Sequence, residues 1–144
     1  MIAGPEKTKK WMGELAESGK YAVDEEVFAK IKENFCAYYC DEENCAATIK
    51  SYFDRYSYLC DTHTAVALYA AESFIKEYPT GLKNVVASTA SPYKFAADVM
   101  RCLGKDVENK SDEQVLSELS SYSKTEIPRP LAELFKKEVR FSVT

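Results

Sequence analysis

The fold prediction starts from residues 85–95, which read Val-Val-Ala-Ser-Thr-Ala-Ser-Pro-Tyr-Lys-Phe. The β-branched start is typical of a buried strand, and Pro92 suits the first position of a helix because its missing N–H is not needed there. Ser91 is a suitable N-cap, since its hydroxyl can accept a hydrogen bond from a first-turn amide. Open α/β sheets bind ligands at the carboxyl ends of their strands, so Ser88 and Thr89 are candidate site residues.

Composition and charge exclude several classes of protein. The 144 residues suffice for one domain, and 46% apolar and 29% charged residues are ordinary for a globular protein. A net charge of −4 provides no basic surface, so we expect neither nucleic acid nor an anionic membrane as partner. No apolar run approaches the roughly 18 residues of a membrane helix, and the amino-terminal residues do not resemble a signal peptide. An odd count of five cysteines favours a reducing, cytoplasmic location.

Helix and strand signals alternate along the chain. Helices are predicted at 5–18, from the N-cap Asp24, from the N-cap Asp41, at 63–77, at 92–103, after the capping box at 111–114, and at about 130–138. Short strands are predicted at 36–39, 58–60 and 84–88. This order predicts an α/β fold, rich in helix, with a small, mainly parallel sheet of three to four strands flanked by helices.

The sequence predicts a single domain or a fragment of one. Residues 5–104 would form the α/β core, and residues 105–144, which become more polar, a helical extension at the C-terminus. Helix 63–77 is apolar on nearly every side, which is typical of a helix that is covered on more than one side. We therefore expect that part of its surroundings lies outside these residues.

Three segments carry a family resemblance. Residues 88–95 resemble the Ser/Gly-Thr-Ala-His-Pro-Ala-Lys-Phe segment of bacterial and fungal-type threonine synthases. Residues 59–67, Leu-Cys-Asp-Thr-His-Thr-Ala-Val-Ala, resemble that family's Asp-Pro-His-Thr-Ala-Val-Ala/Gly helix start, and residues 21–26 resemble its Ala-Val-Asp-Asp-Glu segment. The order of the three segments also agrees, so the chain resembles the C-terminal part of these enzymes. The resemblance implies part of a fold type II pyridoxal-phosphate enzyme domain.

The resemblance implies a function and a site. Threonine synthases are lyases of threonine biosynthesis that convert O-phospho-L-homoserine and water into L-threonine and phosphate with pyridoxal 5'-phosphate. The resemblance places Thr89 at the position whose hydroxyl faces the pyridine nitrogen of the cofactor, with Ser88 as a second cofactor-binding residue. A neutral hydroxyl does not hold the ring nitrogen protonated as a carboxylate would, which moderates the electron sink. The alternative is that Thr89 only satisfies a turn amide.

The chain also departs from the family. Ser91 replaces the family's histidine, Lys94 is not expected to form the Schiff base, and neither the Phe-Lys-Asp motif nor a Gly-rich phosphate loop is found. We therefore assign no catalytic residue and expect the chain alone to be inactive, without bound cofactor, and to need the N-terminal remainder of the enzyme. Whether it is a shortened piece or a natural split product, and a synthase or a phospholyase variant, stays open.

A non-catalytic α/β interaction module derived from such an enzyme is the alternative function, and it would self-associate through an uncovered apolar face. His63, the only histidine, either contacts the cofactor region or is held by a hydrogen bond as a partly buried side chain. Cys36, Cys40 and Cys45 lack the spacing of a zinc or redox pair. We interpret the cysteines as small packing residues and predict no metal site.

Overall fold

In the computed structural model, which describes residues 2–138, the chain divides after Ala37 into two compact helical units. Helices account for all its regular structure. They are α1 (Pro5–Ser18), α2 (Glu25–Lys32), α3 (Glu42–Tyr56), α4 (Thr62–Glu77), a 3-10 turn (Pro92–Phe95), α5 (Ala96–Cys102), α6 (Asp112–Ser123) and α7 (Arg129–Leu134). None of the helices between residues 2 and 138 combines the length and apolar character needed to cross a membrane.

The first unit holds α1 and α2. Asp24 caps α2, because its carboxylate accepts from the Val27 amide at 3.1 Å, and it also pairs with the Lys7 ammonium at 2.9 Å. The Trp11 and Tyr21 rings stack with centroids 6.4 Å apart. The predicted helix at 5–18 and the predicted N-cap Asp24 are both confirmed.

The second unit is organised around one hydrophobic core. Helix α3 packs against α4 and α5, and α5 packs against α6. The side chains of Ile49, Val99 and Leu119, from α3, α5 and α6, are fully buried at its centre. The core is completed by Cys45, Leu59, Cys60, Ala65, Tyr93, Ala96, Met100, Leu103, Val107, Val115 and Leu116. Residues after 104 thus share this core; the domain boundary predicted there stays a prediction.

Side-chain caps fix where the helices of this unit begin. Asp41 accepts from the Asn44 amide, as the sequence predicted, and Asp61 accepts from the amides of His63 and Thr64 in the first turn of α4. Ser111 forms the predicted capping box with Gln114. Gly104 follows α5 with a φ of +73°, a left-handed conformation that favours glycine.

The predicted helix 92–103 is divided into the 3-10 turn and α5. Ser91 caps the turn as predicted, accepting from the Tyr93 amide at 3.3 Å. The buried Tyr93 donates its hydroxyl to the Thr125 carbonyl at 2.8 Å, which ties the turn to the loop after α6. The last helix, predicted to reach residue 138, ends at Leu134.

The predicted α/β fold with its three- to four-stranded sheet is wrong, because residues 2–138 contain no strand. Val85 is 95% exposed and Tyr39 85% exposed, the opposite of what buried strands require. Leu59 and Cys60 are buried, but they pack into the helical core. A short apolar run does not by itself distinguish a strand from other buried backbone, and a strand also needs a neighbour for its backbone hydrogen bonds.

We predict that Leu119→Ala destabilises the second unit by about 2–5 kcal/mol, because truncation leaves a cavity in a closed core. Leu82→Ala is the matched control: Leu82 is 76% exposed, so the same chemical change should have little effect. Urea unfolding, monitored by circular dichroism, measures the free energy of unfolding of both variants. Equal losses in the two variants would contradict the assignment of α6 to the core.

Candidate functional site

A buried carboxylate lies at the start of α4. Asp61 is fully buried, and its Oδ1 accepts from the backbone amides of His63 at 2.9 Å and Thr64 at 3.3 Å. The His63 ring nitrogen Nδ1 lies 3.2 Å from the same oxygen. The second oxygen, Oδ2, accepts a hydrogen bond from the Thr64 hydroxyl. Both oxygens of this carboxylate are therefore paired.

Asp61 is ionised at neutral pH. Burial alone raises the pKa of a carboxyl group because it penalises the charged form. Here the hydrogen bonds from the Thr64 hydroxyl, the two backbone amides and the His63 ring outweigh burial and lower the pKa of Asp61 below 3.8. The positive end of the α4 dipole acts in the same direction.

The candidate residues Ser88 and Thr89 lie next to this network. The Ser88 hydroxyl oxygen is 3.0 Å from that of the buried Thr64, so the irregular segment 78–91 is tied to the start of α4. Thr89 is exposed, and within residues 2–138 its hydroxyl has no hydrogen-bond partner. Sequence reasoning missed the bond between Thr64 and Asp61. The Asp-x-x-Thr spacing was the available signal, since it places a hydroxyl over an N-cap carboxylate.

An open cleft of about 600 Å³ lies beside the start of α4. The His63 ring forms part of its wall and contacts the Phe95 ring, with centroids 4.9 Å apart, while 62% of the His63 side chain is exposed. His63 is thus hydrogen-bonded but not deeply buried. The lining residues are Cys40, Glu42, Cys45, Thr62, His63, Val66, Phe95, Asp98, Arg101 and Cys102, so neither Ser88 nor Thr89 lines the cleft.

Three of the five cysteines line this cleft, although their sequence spacing is irregular. All five are free thiols. Burial raises the pKa of Cys45 to about 11 and that of Cys60 to about 11, so both are protonated at neutral pH and pack as small apolar groups. Cys36 is exposed, so packing does not explain it. In the part of the chain that the structure describes, no cluster of histidine, cysteine and acidic side chains could hold a metal ion.

The two other positions singled out by sequence lie at the 3-10 turn. Lys94 is exposed, and its ammonium lies 5.5 Å from the centre of the Phe95 ring. Ser91, which replaces the family's histidine, uses its hydroxyl oxygen for the cap. Lys94 also lines an open cleft of about 340 Å³, and the expectation that it does not form the Schiff base stays a prediction.

Residues 64–144 match the family model described as "Threonine synthase, C-terminal". The chain is 35% identical over 94 residues to mouse Threonine synthase-like 1, which covers 65% of this chain and 12% of that protein. The human protein of the same name is 31% identical over 104 residues, covering 72% of this chain and 14% of that protein. The chain thus spans about an eighth of the length of these relatives.

The fold also resembles a solved structure, the PLP-bound threonine synthase of Brucella melitensis, with a TM-score of 0.65. That match covers 96% of this chain and 25% of the bacterial chain at 24% identity, so it supports the fold alone. Because the family model covers more than half of the sequence, the chain belongs to the threonine synthase C-terminal family. The predicted family is confirmed.

We predict that Asp61→Ala destabilises the second unit by about 2 kcal/mol, since it removes the cap and leaves the Thr64 hydroxyl unpaired. Asp61→Asn should cost less. Because the pKa of Asp61 is lowered on folding, its carboxylate stabilises the protein above pH 3.8, and this contribution is lost as the pH falls through the folded value.

Urea unfolding of the wild type and Asp61→Asn at neutral pH and below pH 4 tests this prediction. The difference in unfolding free energy between the two should shrink at the lower pH. Asp41→Asn is the control, because it makes the same exchange at an exposed N-cap and should cost less. A difference that grows on acidification would contradict the argument.

Proposed function

We propose that this chain forms the ring-nitrogen side of a pyridoxal-phosphate site in a threonine synthase. One observation carries the proposal: Thr89 is an exposed hydroxyl with no partner in residues 2–138, in a segment tied to the start of α4. A threonine that only satisfied a turn amide would have that amide as its partner. Membership of the family and the PLP-bound structural neighbour support this assignment.

The described residues fit one edge of the cofactor only. Thr89 can donate to an aromatic nitrogen, and Ser88 lies beside it. The amides of His63 and Thr64 at the start of α4 are occupied by Asp61, so α4 does not offer these two amides to a phosphate. We infer that the phosphate and the Schiff-base lysine are held by other parts of a complete enzyme.

The chemistry follows from the charge on the ring nitrogen. Pyridoxal phosphate supplies an electron sink when bound. A threonine hydroxyl donates a hydrogen bond without transferring its proton, whereas a carboxylate would hold the nitrogen protonated. Such a partner suits elimination and replacement at the β and γ carbons, as in the conversion of O-phospho-L-homoserine and water to L-threonine and phosphate. In this chain, the Thr89 hydroxyl would orient the ring by donating a hydrogen bond to the ring nitrogen. The hydroxyl proton would stay on Oγ1 of Thr89.

The surface of the second unit supports an N-terminal remainder as partner. Leu82 is 76% exposed and Val85 95% exposed, in a segment without regular secondary structure. Val66 and Ile75 of the apolar helix α4 are also exposed. Water contact with so many large apolar side chains is unfavourable, so we expect them to be covered in the complete protein.

The isolated chain should neither bind pyridoxal phosphate stably nor release phosphate from O-phospho-L-homoserine, because it offers one hydrogen bond to the ring. Absorbance spectroscopy of the chain mixed with the cofactor is the measurement. Lys94→Arg serves as a control for a chance adduct at the lysine nearest in sequence to Thr89. A stable absorbance band that depends on a specific lysine would contradict the proposal.

A graft tests the role of Thr89. The quarter of the Brucella melitensis enzyme that matches this chain would be replaced by it, and phosphate and threonine measured separately, since only a synthase forms threonine. Thr89→Val should lower kcat by about tenfold, the equivalent of one hydrogen bond of about 1.4 kcal/mol, whereas Thr89→Ser should retain activity.

Thr80→Val is the matched control, because Thr80 is the other threonine of segment 78–91 and its hydroxyl only accepts from the Leu82 amide at 3.3 Å. It should leave kcat unchanged. A folded graft in which Thr89→Val matches the wild type in kcat would contradict the proposed role. Phosphate release without threonine would instead favour a phospholyase.

A further inference from the structure

The hydrogen bonds around Thr64 run in one direction only. A threonine hydroxyl has one proton to donate, and a carboxylate can only accept. Because Asp61 is a carboxylate whose Oδ2 is bonded to the Thr64 hydroxyl, Thr64 donates its proton to Asp61. The contact of 3.0 Å between Thr64 and Ser88 must then have Ser88 as its donor.

We propose that Asp61 and Thr64 are positioning residues that turn the Ser88 hydroxyl proton inward, so that Thr89 alone of the two adjacent hydroxyls can donate to a ligand. The ligand class is a planar heteroaromatic ring with an unprotonated nitrogen. Its identity as pyridoxal phosphate rests on the proposed function, but the direction of the protons does not.

The two hydroxyls therefore differ although they are neighbours in sequence. Ser88 presents only lone pairs outward, so it can accept from a ligand N–H or O–H but cannot donate to a ring nitrogen. Thr89, with no partner in the described residues, keeps its proton for a ligand.

Capping of α4 alone does not account for this arrangement. The Oδ1 atom of Asp61 satisfies both amides of the first turn, which is all that an N-cap requires. The Oδ2 atom serves the Thr64 hydroxyl, which continues to Ser88, 24 residues further along the chain. Thr64 is 2% exposed, so its hydroxyl is shielded from water that could substitute for either partner.

Nuclear magnetic resonance of the isolated chain tests the proposal without any cofactor. A buried hydroxyl proton bonded to a carboxylate exchanges slowly and resonates downfield, so the Thr64 hydroxyl proton should be visible. Ser88→Ala should leave that resonance in place, because Thr64 donates to Asp61 and not to Ser88. Thr64→Val removes the resonance by definition and serves to assign it.

Backbone dynamics report the positioning role. The order parameters of Ser88 and Thr89 should fall from about 0.85 to below about 0.6 in Thr64→Val and Ser88→Ala, and stay high in Thr64→Ser, which retains the hydroxyl. Thr62→Val is the matched control at the same helix start, because Thr62 does not bond to Ser88, and it should leave both values unchanged. Ser88→Ala alters an exposed residue, so it remains informative if Thr64→Val fails to fold.

Asp61→Asn provides a test of direction. The asparagine oxygen would keep the two amides at the Oδ1 position, which places its NH₂ group against the Thr64 hydroxyl oxygen. Thr64 would then donate to Ser88, and its hydroxyl resonance should shift upfield because its acceptor is neutral.

Loss of the Thr64 hydroxyl resonance in Ser88→Ala would overturn the proposal, since it would show that Thr64 donates to Ser88. Unchanged order parameters at Ser88 and Thr89 in both Thr64→Val and Ser88→Ala would overturn it as well. Failure of the grafted enzyme, by contrast, would contradict the proposed function and leave these measurements on the isolated chain unaffected.

Discussion

The arrangement of the second unit depends on one buried carboxylate. Asp61 is removed from water, which is costly for a carboxylate unless its oxygens are fully hydrogen-bonded. The first-turn amides of α4 and the Thr64 hydroxyl provide those bonds. Because the same hydroxyl contacts Ser88, the start of the helix and the candidate site segment share one polar network. Local helix capping and the placement of a distant segment are therefore the same interaction.

The helices could be predicted from the sequence because their signals are local. Asp41 and Ser111 each stand just before a helix and bond to an amide three residues later, so residue type and spacing are sufficient evidence. The presence or absence of a sheet could not be predicted in this way, because a strand requires backbone hydrogen bonds to a neighbouring strand. Val85 has the residue type of a strand, yet it is almost fully exposed in a segment without regular structure. Its residue type therefore indicated neither burial nor pairing.

The candidate site was accessible to sequence reasoning only in part. The resemblance identified Ser88 and Thr89, and the structure leaves Thr89 exposed in segment 78–91. The contact between Thr64 and Ser88 joins residues 24 positions apart, and no periodicity or spacing rule reports such a contact. The gathering of Cys40, Cys45 and Cys102 around one cleft is likewise a product of helix packing, since α3 and α5 bring these positions together.

The hydroxyl of Tyr93 links the 3-10 turn to the Thr125 carbonyl, which also accepts from Ser120 at the end of α6. Two donors converge on one peptide group, so the loop after α6 cannot change length without moving the turn that follows Thr89. In recombination between family members, a crossover placed between Tyr93 and Thr125 would take the two partners of this hydrogen bond from different parents. Exchangeable blocks in this part of the family should therefore extend from before the α4 N-cap to beyond Thr125.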